Sequence, residues 1–259
     1  MKLAVTGKGG VGKTFVSALL AKVLVKKGFE VFAIDADPDA NLASALGIGE
    51  PSKITPLVQL KEIIEERTGA KSGALSSYFK INPRVDDIPE RFFVKINGLR
   101  LGVMGSVRGG GLGCVCPESA FLKALLAHLL VERKEAVVLD MEAGIEHLGR
   151  GTVSSVDMLV IVVEPGSRSI ETALRIKGLA GDLGMKRFSV VGNKIRNEND
   201  IDFIRKSLAG FDFSGFLPFN PKLIEADLMN RPFDRECPEI IPEGEKILEA
   251  LSSKVTGIK

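Results

Sequence analysis

The chain has 259 residues, 45% of them hydrophobic and 26% charged, with a formal net charge of +2. That length suits one α/β domain or two small ones with a large buried core, and the near-neutral charge without a dense Lys/Arg run excludes a nucleic-acid footprint. No apolar run reaches the length of a membrane span, and three cysteines, an odd number, argue against a disulfide framework and fit a reducing cytoplasm.

In chain order, Leu3, Ala4, Val5 and Thr6 form an apolar run that enters a first strand at once, so no signal peptide is expected. Gly7-Lys8-Gly9-Gly10-Val11-Gly12-Lys13-Thr14 follows, and residues 15–27 predict an amphipathic helix. Strand, glycine-rich turn and helix are the context of a phosphate loop. Its amides converge at a helix N-terminus, where partial positive charge favours an anion. A side chain at Gly10 or Gly12 is expected to block the approach of a phosphate. Gly9, Gly10, Val11, Gly12, Lys13, Thr14 and Phe15 are therefore the expected nucleotide cradle, with Lys13 reaching the β- and γ-phosphates and the Thr14 hydroxyl on Mg²⁺.

Residues 30–35 predict a buried strand that ends in acid and opens into Asp35-Ala36-Asp37-Pro38-Asp39. Carboxylates just beyond a strand end sit where open α/β sheets bind ligands, so one of them is expected to hold Mg²⁺ or orient an attacking water. Asp39 is equally suited to capping a helix that starts near Asn41. Residues 50–90 read as an irregular insertion on one domain, with a helix over 60–67. Residues 91–96 and 99–104 around Asn97-Gly98 read as a β-hairpin. A helix over 118–131, strands over 135–140, 158–164, 188–192 and 213–217, and helices over 169–183 and 244–255 complete a β-α alternation. It predicts a doubly wound, mostly parallel sheet with helices on both faces.

Asp140 closes the strand over 135–140 and is the expected partner of Thr14 at Mg²⁺. Cys114 and Cys116 lie two residues apart in a glycine-rich loop ahead of Pro117, near the start of a helix that favours thiolates. Soft thiolates suit Zn²⁺, Ni²⁺, Cu⁺ or an iron–sulfur cluster. Two are too few for a closed tetrahedral site, and a symmetric dimer would supply the other two. Buried structural cysteines or a strained redox disulfide are the alternatives. Cys237 has no cysteine near it in sequence and reads as structural.

The loop already contains Lys13, and the additional Lys8 makes Lys8-Gly9-Gly10-Val11-Gly12-Lys13-Thr14 resemble the deviant Walker A loop of the family of MinD, ParA and the nitrogenase iron protein. The resemblance implies that Lys8 acts across a dimer interface on the partner's nucleotide, and that Asp37 positions the hydrolytic water. It implies that Gly144, in Asp140-Met141-Glu142-Ala143-Gly144, faces the γ-phosphate. By the same resemblance Asn193 and Pro218 contact the base, and no guanine signature is present, so ATP is expected. Gly113-Cys114-Val115-Cys116-Pro117-Glu118 and residues 140–151 resemble the CooC-type ATPases, a family that assists nickel insertion into carbon monoxide dehydrogenase. The resemblance thus implies a cytoplasmic, Mg-ATP-dependent homodimer with Ni²⁺ or Zn²⁺ at its Cys114 and Cys116 thiolates, the dehydrogenase as client, and no nucleic-acid or membrane partner. The rival classes are a spatial-organisation ATPase of the MinD/ParA kind and an iron–sulfur carrier ATPase.

Overall fold

The structure, a computed structural model, describes residues 1–70, 78–105, 116–132, 135–142 and 156–256. The strands are β1 (Lys2–Gly7), β2 (Val31–Ala36), β3 (Val94–Ile96), β4 (Leu99–Val103), β5 (Ala136–Met141), β6 (Met158–Val163), β7 (Phe188–Ile195) and β8 (Phe213–Pro218). They form one eight-stranded sheet in the order β3-β4-β2-β5-β1-β6-β7-β8. Every pairing is parallel except β3 with β4. Central strands such as β5 and β6 are buried along their whole length, as parallel strands covered on both faces must be.

The helices, in chain order, are α1 (Lys13–Lys26), α2 (Leu42–Ala45), α3 (Lys61–Thr68), α4 (Ile88–Phe92), α5 (Pro117–Ala127), α6 (Ser167–Asp182), α7 (Glu198–Ser207), α8 (Pro221–Leu228), α9 (Phe233–Glu236) and α10 (Ile240–Thr256). Two apolar clusters lie on opposite faces of the sheet. One gathers side chains of α1, α2, α9 and α10, including Leu19, Leu20, Leu42, Phe233 and Leu251. The other gathers α3 to α7, including Ile64, Ile88, Phe121, Ile176 and Ile204. Leu57, Ile64, Val85 and Ile88 from the 50–90 region belong to this same cluster. The doubly wound expectation holds.

Four expectations are corrected. Helix α1 is not amphipathic: Val16 to Ala21, Val23 and Leu24 are buried nearly all round, because α10 covers the side that faces away from the sheet. Helix α10 starts at Ile240 rather than at 244; Gly244 lies inside it, and a Cβ there would stand 2.8 Å from Leu19, so this glycine permits close helix packing. The first hairpin run is partly the short helix α4, entered after Asp87 with Pro89 in its first turn, where a missing N–H costs nothing. The hairpin turn itself is as read, with Asn97 at φ 39 and Gly98 at φ 88. Strand β7 runs on to Ile195, with an irregularity in its pairing to β8 between Gly192 and Ile195. Asn193 and Lys194 therefore lie inside the strand's last turns of pleat, and not after it.

Candidate active site

A cleft of about 890 Å³ opens at the C-terminal ends of the central strands. Gly9, Gly10, Gly12, Lys13, Thr14 and Phe15 line it, and so do Asp37, Asn193 and Pro218. Val11 is buried under the loop, and the Lys8 side chain projects at its edge, about one-third exposed.

The loop owes its shape to its glycines. Gly10 and Gly12 have φ 81 and 92, a region that side chains strongly disfavour. A Cβ at Gly10 would meet nothing within 4 Å, whereas one at Gly12 would meet Asn193 Nδ2 at 2.3 Å. The expectation for Gly12 thus changes its cause: the side chain it excludes would strike Asn193. That amide donates to the Val11 carbonyl at 2.8 Å and is itself buried, so β7 braces the loop directly. Helix α1 begins with no side-chain cap and no acid in its first turn, which leaves its N-terminal amides for a ligand. Lys13 is buried at the loop's end, with Nζ 3.9 Å from Asp37 Oδ2.

The acids at the ends of β2 and β5 are the electrostatic centre. Asp35 and Asp140 are direct neighbours across the two strands, and both are fully buried. Burial pushes Asp35 up to about 7, with the Asp140 charge adding to the rise. Burial likewise pushes Asp140 up to about 6, against the opposing pull of the Thr14 and Ser17 hydroxyls. Ser17 Oγ donates to Asp140 Oδ1 at 2.9 Å, but Oδ2 is buried without a hydrogen-bond partner among the described residues. An orphaned carboxylate oxygen beside Thr14, with a second carboxylate adjacent, is a donor set of hard oxygens that fits Mg²⁺. Asp35 does other work as well. Its Oδ2 accepts from Leu42 N at 2.8 Å and its Oδ1 from Asp37 N at 3.2 Å, so it fixes the loop that carries Asp37. Asp39 is exposed and does not cap α2; its own amide donates to Asp37 Oδ1 at 3.1 Å. The cap is supplied by Asp35, whose buried position places it under the helix start.

Ser17 and Glu164 were not singled out from the sequence, and Lys194 entered only as the neighbour of Asn193 in a pair that resembles the family's Asn-Lys motif. Ser17 is one helical turn beyond Thr14, and i,i+3 spacing could have placed it on the same face. Glu164, just beyond β6, is a third strand-end acid after Asp35 and Asp140. Lys194, at φ 60, donates to the Gly10 carbonyl at 2.6 Å and to Glu164 Oε2 at 2.9 Å. Pro218 lines the cleft at the end of β8, and Asn220 after it caps α8 by accepting from Lys222 N at 3.0 Å. Asn220 also donates to the buried Cys237 Sγ at 2.8 Å.

Gly144 and Cys114 lie outside the described residues. Cys116 immediately precedes α5 and is half-buried, with Sγ 3.4 Å from Ser119 Oγ. Among the described residues no group of three or more His, Cys, Asp and Glu side chains forms a metal site. Among them, too, no helix is long and apolar enough to cross a membrane.

Comparison with known proteins places this geometry. Residues 2–233 match the CobQ/CobB/MinD/ParA nucleotide-binding domain. The chain is 52% identical to the carbon monoxide dehydrogenase accessory protein CooC of Rhodospirillum rubrum over 88% of its own length and 87% of that protein's. This chain belongs to the CobQ/CobB/MinD/ParA nucleotide-binding family, in the branch of CooC. It is an ATPase. An uncharacterized ATP-binding protein of Methanocaldococcus jannaschii is 48% identical over 90% of this ATPase and 91% of its own length. Among solved structures, a ParA family ATPase from Chlorobium tepidum superposes with a TM-score of 0.70, covering 96% of this chain and 97% of that one at 18% identity. That likeness establishes the fold.

Proposed function

We propose that this ATPase is a single P-loop domain that dimerises on Mg-ATP, carries a metal ion, nickel in the first place, between Cys114 and Cys116 of two subunits, and delivers it to carbon monoxide dehydrogenase. The observation that carries this reading is the 52% identity to CooC across nearly the whole of both chains. The Cys114/Cys116 pair and the loop lysine Lys8 give that likeness its chemistry. When bound, Mg²⁺ neutralises charge on the transferring phosphoryl group; Thr14 and Asp140 would hold it, with Asp35 and Asp37 beside it.

This chain's own residues do the rest. The loop amides and Lys13 bind the phosphates. Asp37, tethered by Asp35 and its own turn, holds the attacking water. Asn193 and Pro218 border the base, and the switch glycine Gly144 follows the γ-phosphate. Lys8 crosses to the partner's nucleotide, which makes the assembled dimer the competent state. Localisation in the cytoplasm accords with this client and with free thiols.

The test is delivery itself. Anaerobically purified protein loaded with Ni²⁺ and ATP should activate nickel-free carbon monoxide dehydrogenase, and Cys116→Ser should not. Activation that is equally fast without ATP would contradict the reading. A brown, iron-containing protein would point to a cluster carrier, and ATP-dependent pelleting with liposomes or DNA to a spatial organiser.

A further inference from the structure

The phosphate loop is flanked by two lysines that share one carboxylate. Glu164 projects from the end of β6, beside the loop, and lies outside the residues that line the cleft. Its Oε2 accepts from Lys194 Nζ at 2.9 Å, and its Oε1 stands 3.9 Å from Lys8 Nζ. Lys194 in turn donates to the Gly10 carbonyl at 2.6 Å, so it is anchored to the loop whether or not Glu164 is charged. Among the described residues Lys8 has no such anchor: apart from Glu164 it makes only a long 3.4 Å contact, to the carbonyl of Gly9 next to it. The Lys8 and Glu164 side chains are 34% and 27% exposed, so water screens their attraction and the contact is easily given up.

We propose that Glu164 is a positioning residue that retains Lys8 on its own subunit in the monomer and so restrains nucleotide-driven dimerisation. This rests on the reading of Lys8 as the residue that crosses the interface. Before Lys8 can reach a partner's phosphates it must leave Glu164, whose charge then remains with Lys194 alone. The two lysines thereby differ in role: Lys194 keeps the loop closed on β7, and Lys8 is held in reserve. An exposed pair of this kind shifts an equilibrium by roughly 2–5-fold and not more, which suits a restraint that ATP must overcome. Because no bond is made or broken, the effect belongs to assembly and not to the chemical step.

The experiment measures the dimer dissociation constant by sedimentation with a non-hydrolysable ATP analogue, at low and at high salt. Glu164→Gln should dimerise roughly 2–5-fold more tightly than the parent at low salt, and the difference should close at high salt, where exposed ion pairs are screened. Glu164→Asp, which keeps the charge, should lie closer to the parent than Glu164→Gln does. Glu164→Gln in a Lys8→Met background should bring no gain. An unchanged or weaker dimer in Glu164→Gln, or a gain that survives high salt or the loss of Lys8, would overturn the proposal. Lys8→Met dimerising like the parent would instead overturn the crossing role of Lys8, so the two failures are told apart.

Discussion

The two halves of the strand ends that frame the cleft use acids in opposite ways. On the β2–β5 side, Asp35 and Asp140 are fully buried side by side, and one oxygen of Asp140 has no partner among the described residues. On the β6–β7 side, Glu164 is partly exposed and faces Lys194 and Lys8. A buried carboxylate without compensation raises its own proton affinity until something positive arrives, and here the proton or Mg²⁺ fills that role. A partly exposed carboxylate between lysines needs no ion and organises its neighbours instead. The first half is therefore built to bind, the second to brace and to hold in place. That contrast separates residues whose loss abolishes the ligand from residues whose loss only loosens its frame.

The largest effect should come from the loop lysines. Lys13→Ala removes a charge-assisted contact to phosphate, worth about 1.5–3 kcal/mol, and should weaken ATP affinity by roughly 10–150-fold in equilibrium dialysis. Lys8→Ala should leave that affinity within a few-fold and abolish dimerisation with ATP. Equal losses of affinity in both would erase the distinction between them.

Next in size is the cost stored in the buried pair. Asp140→Asn keeps the oxygen that accepts from Ser17 and removes the charge. Because burial raises the folded-state value to about 6 from an ordinary 3.8, the charged form costs the fold about 3 kcal/mol above that pH, to order of magnitude. The magnesium-free variant should accordingly melt several degrees higher than the parent at pH 8, while losing Mg²⁺-dependent ATP hydrolysis. Glu164→Gln, by contrast, should leave the melting temperature nearly unmoved. A parent-like melting temperature for Asp140→Asn at pH 8 would remove the strain from the β2–β5 half.

The same cause sets the pH dependence. Both acids have raised folded-state values, so the stability they permit is fully present below pH ~4 and is lost as pH rises through about 6 for Asp140 and about 7 for Asp35. Mg²⁺ competes with those protons, so the extra thermal stabilisation that Mg²⁺ adds to ADP-bound protein should grow between pH 5 and 8, in steps near the two values. A stabilisation flat across this range would detach the acids from the ion.

The smallest effect should fall on the bracing half. Asn193→Ala leaves the Val11 carbonyl without its buried donor, a loss of about 1–3 kcal/mol. Nucleotide affinity should drop by a modest factor, with the magnesium and pH responses intact. Loss of the magnesium response in this variant would show that the two halves are not separable.

Much of this was legible in the sequence, for physical reasons that differ by element. The phosphate loop, the acids at Asp35, Asp37 and Asp140, and the Asn97-Gly98 hairpin are local signals, each needing particular residues at fixed spacing. What the sequence withheld depends on distant partners. Phe15 to Lys27 scan as a surface helix, and only the cover of α10 explains why Leu19 and Leu20 are both buried. The helices α7 and α8 start at Asn197 and Asn220, whose side chains cap them, yet an isolated asparagine reads equally as a turn. Glu164 ends a strand as the recognised acids do. Its meaning emerges only when Lys8 and Lys194, 186 residues apart in sequence, are seen on either side of it.

The central claim is that nucleotide and metal act on one dimer. Calorimetric Ni²⁺ titrations with and without a non-hydrolysable ATP analogue measure it most directly. The expected result is one ion per two chains, an affinity tightened by the nucleotide by ~5–150-fold, and the loss of that site in Cys116→Ser. One tightly bound ion per chain, or an affinity indifferent to the nucleotide, would contradict it.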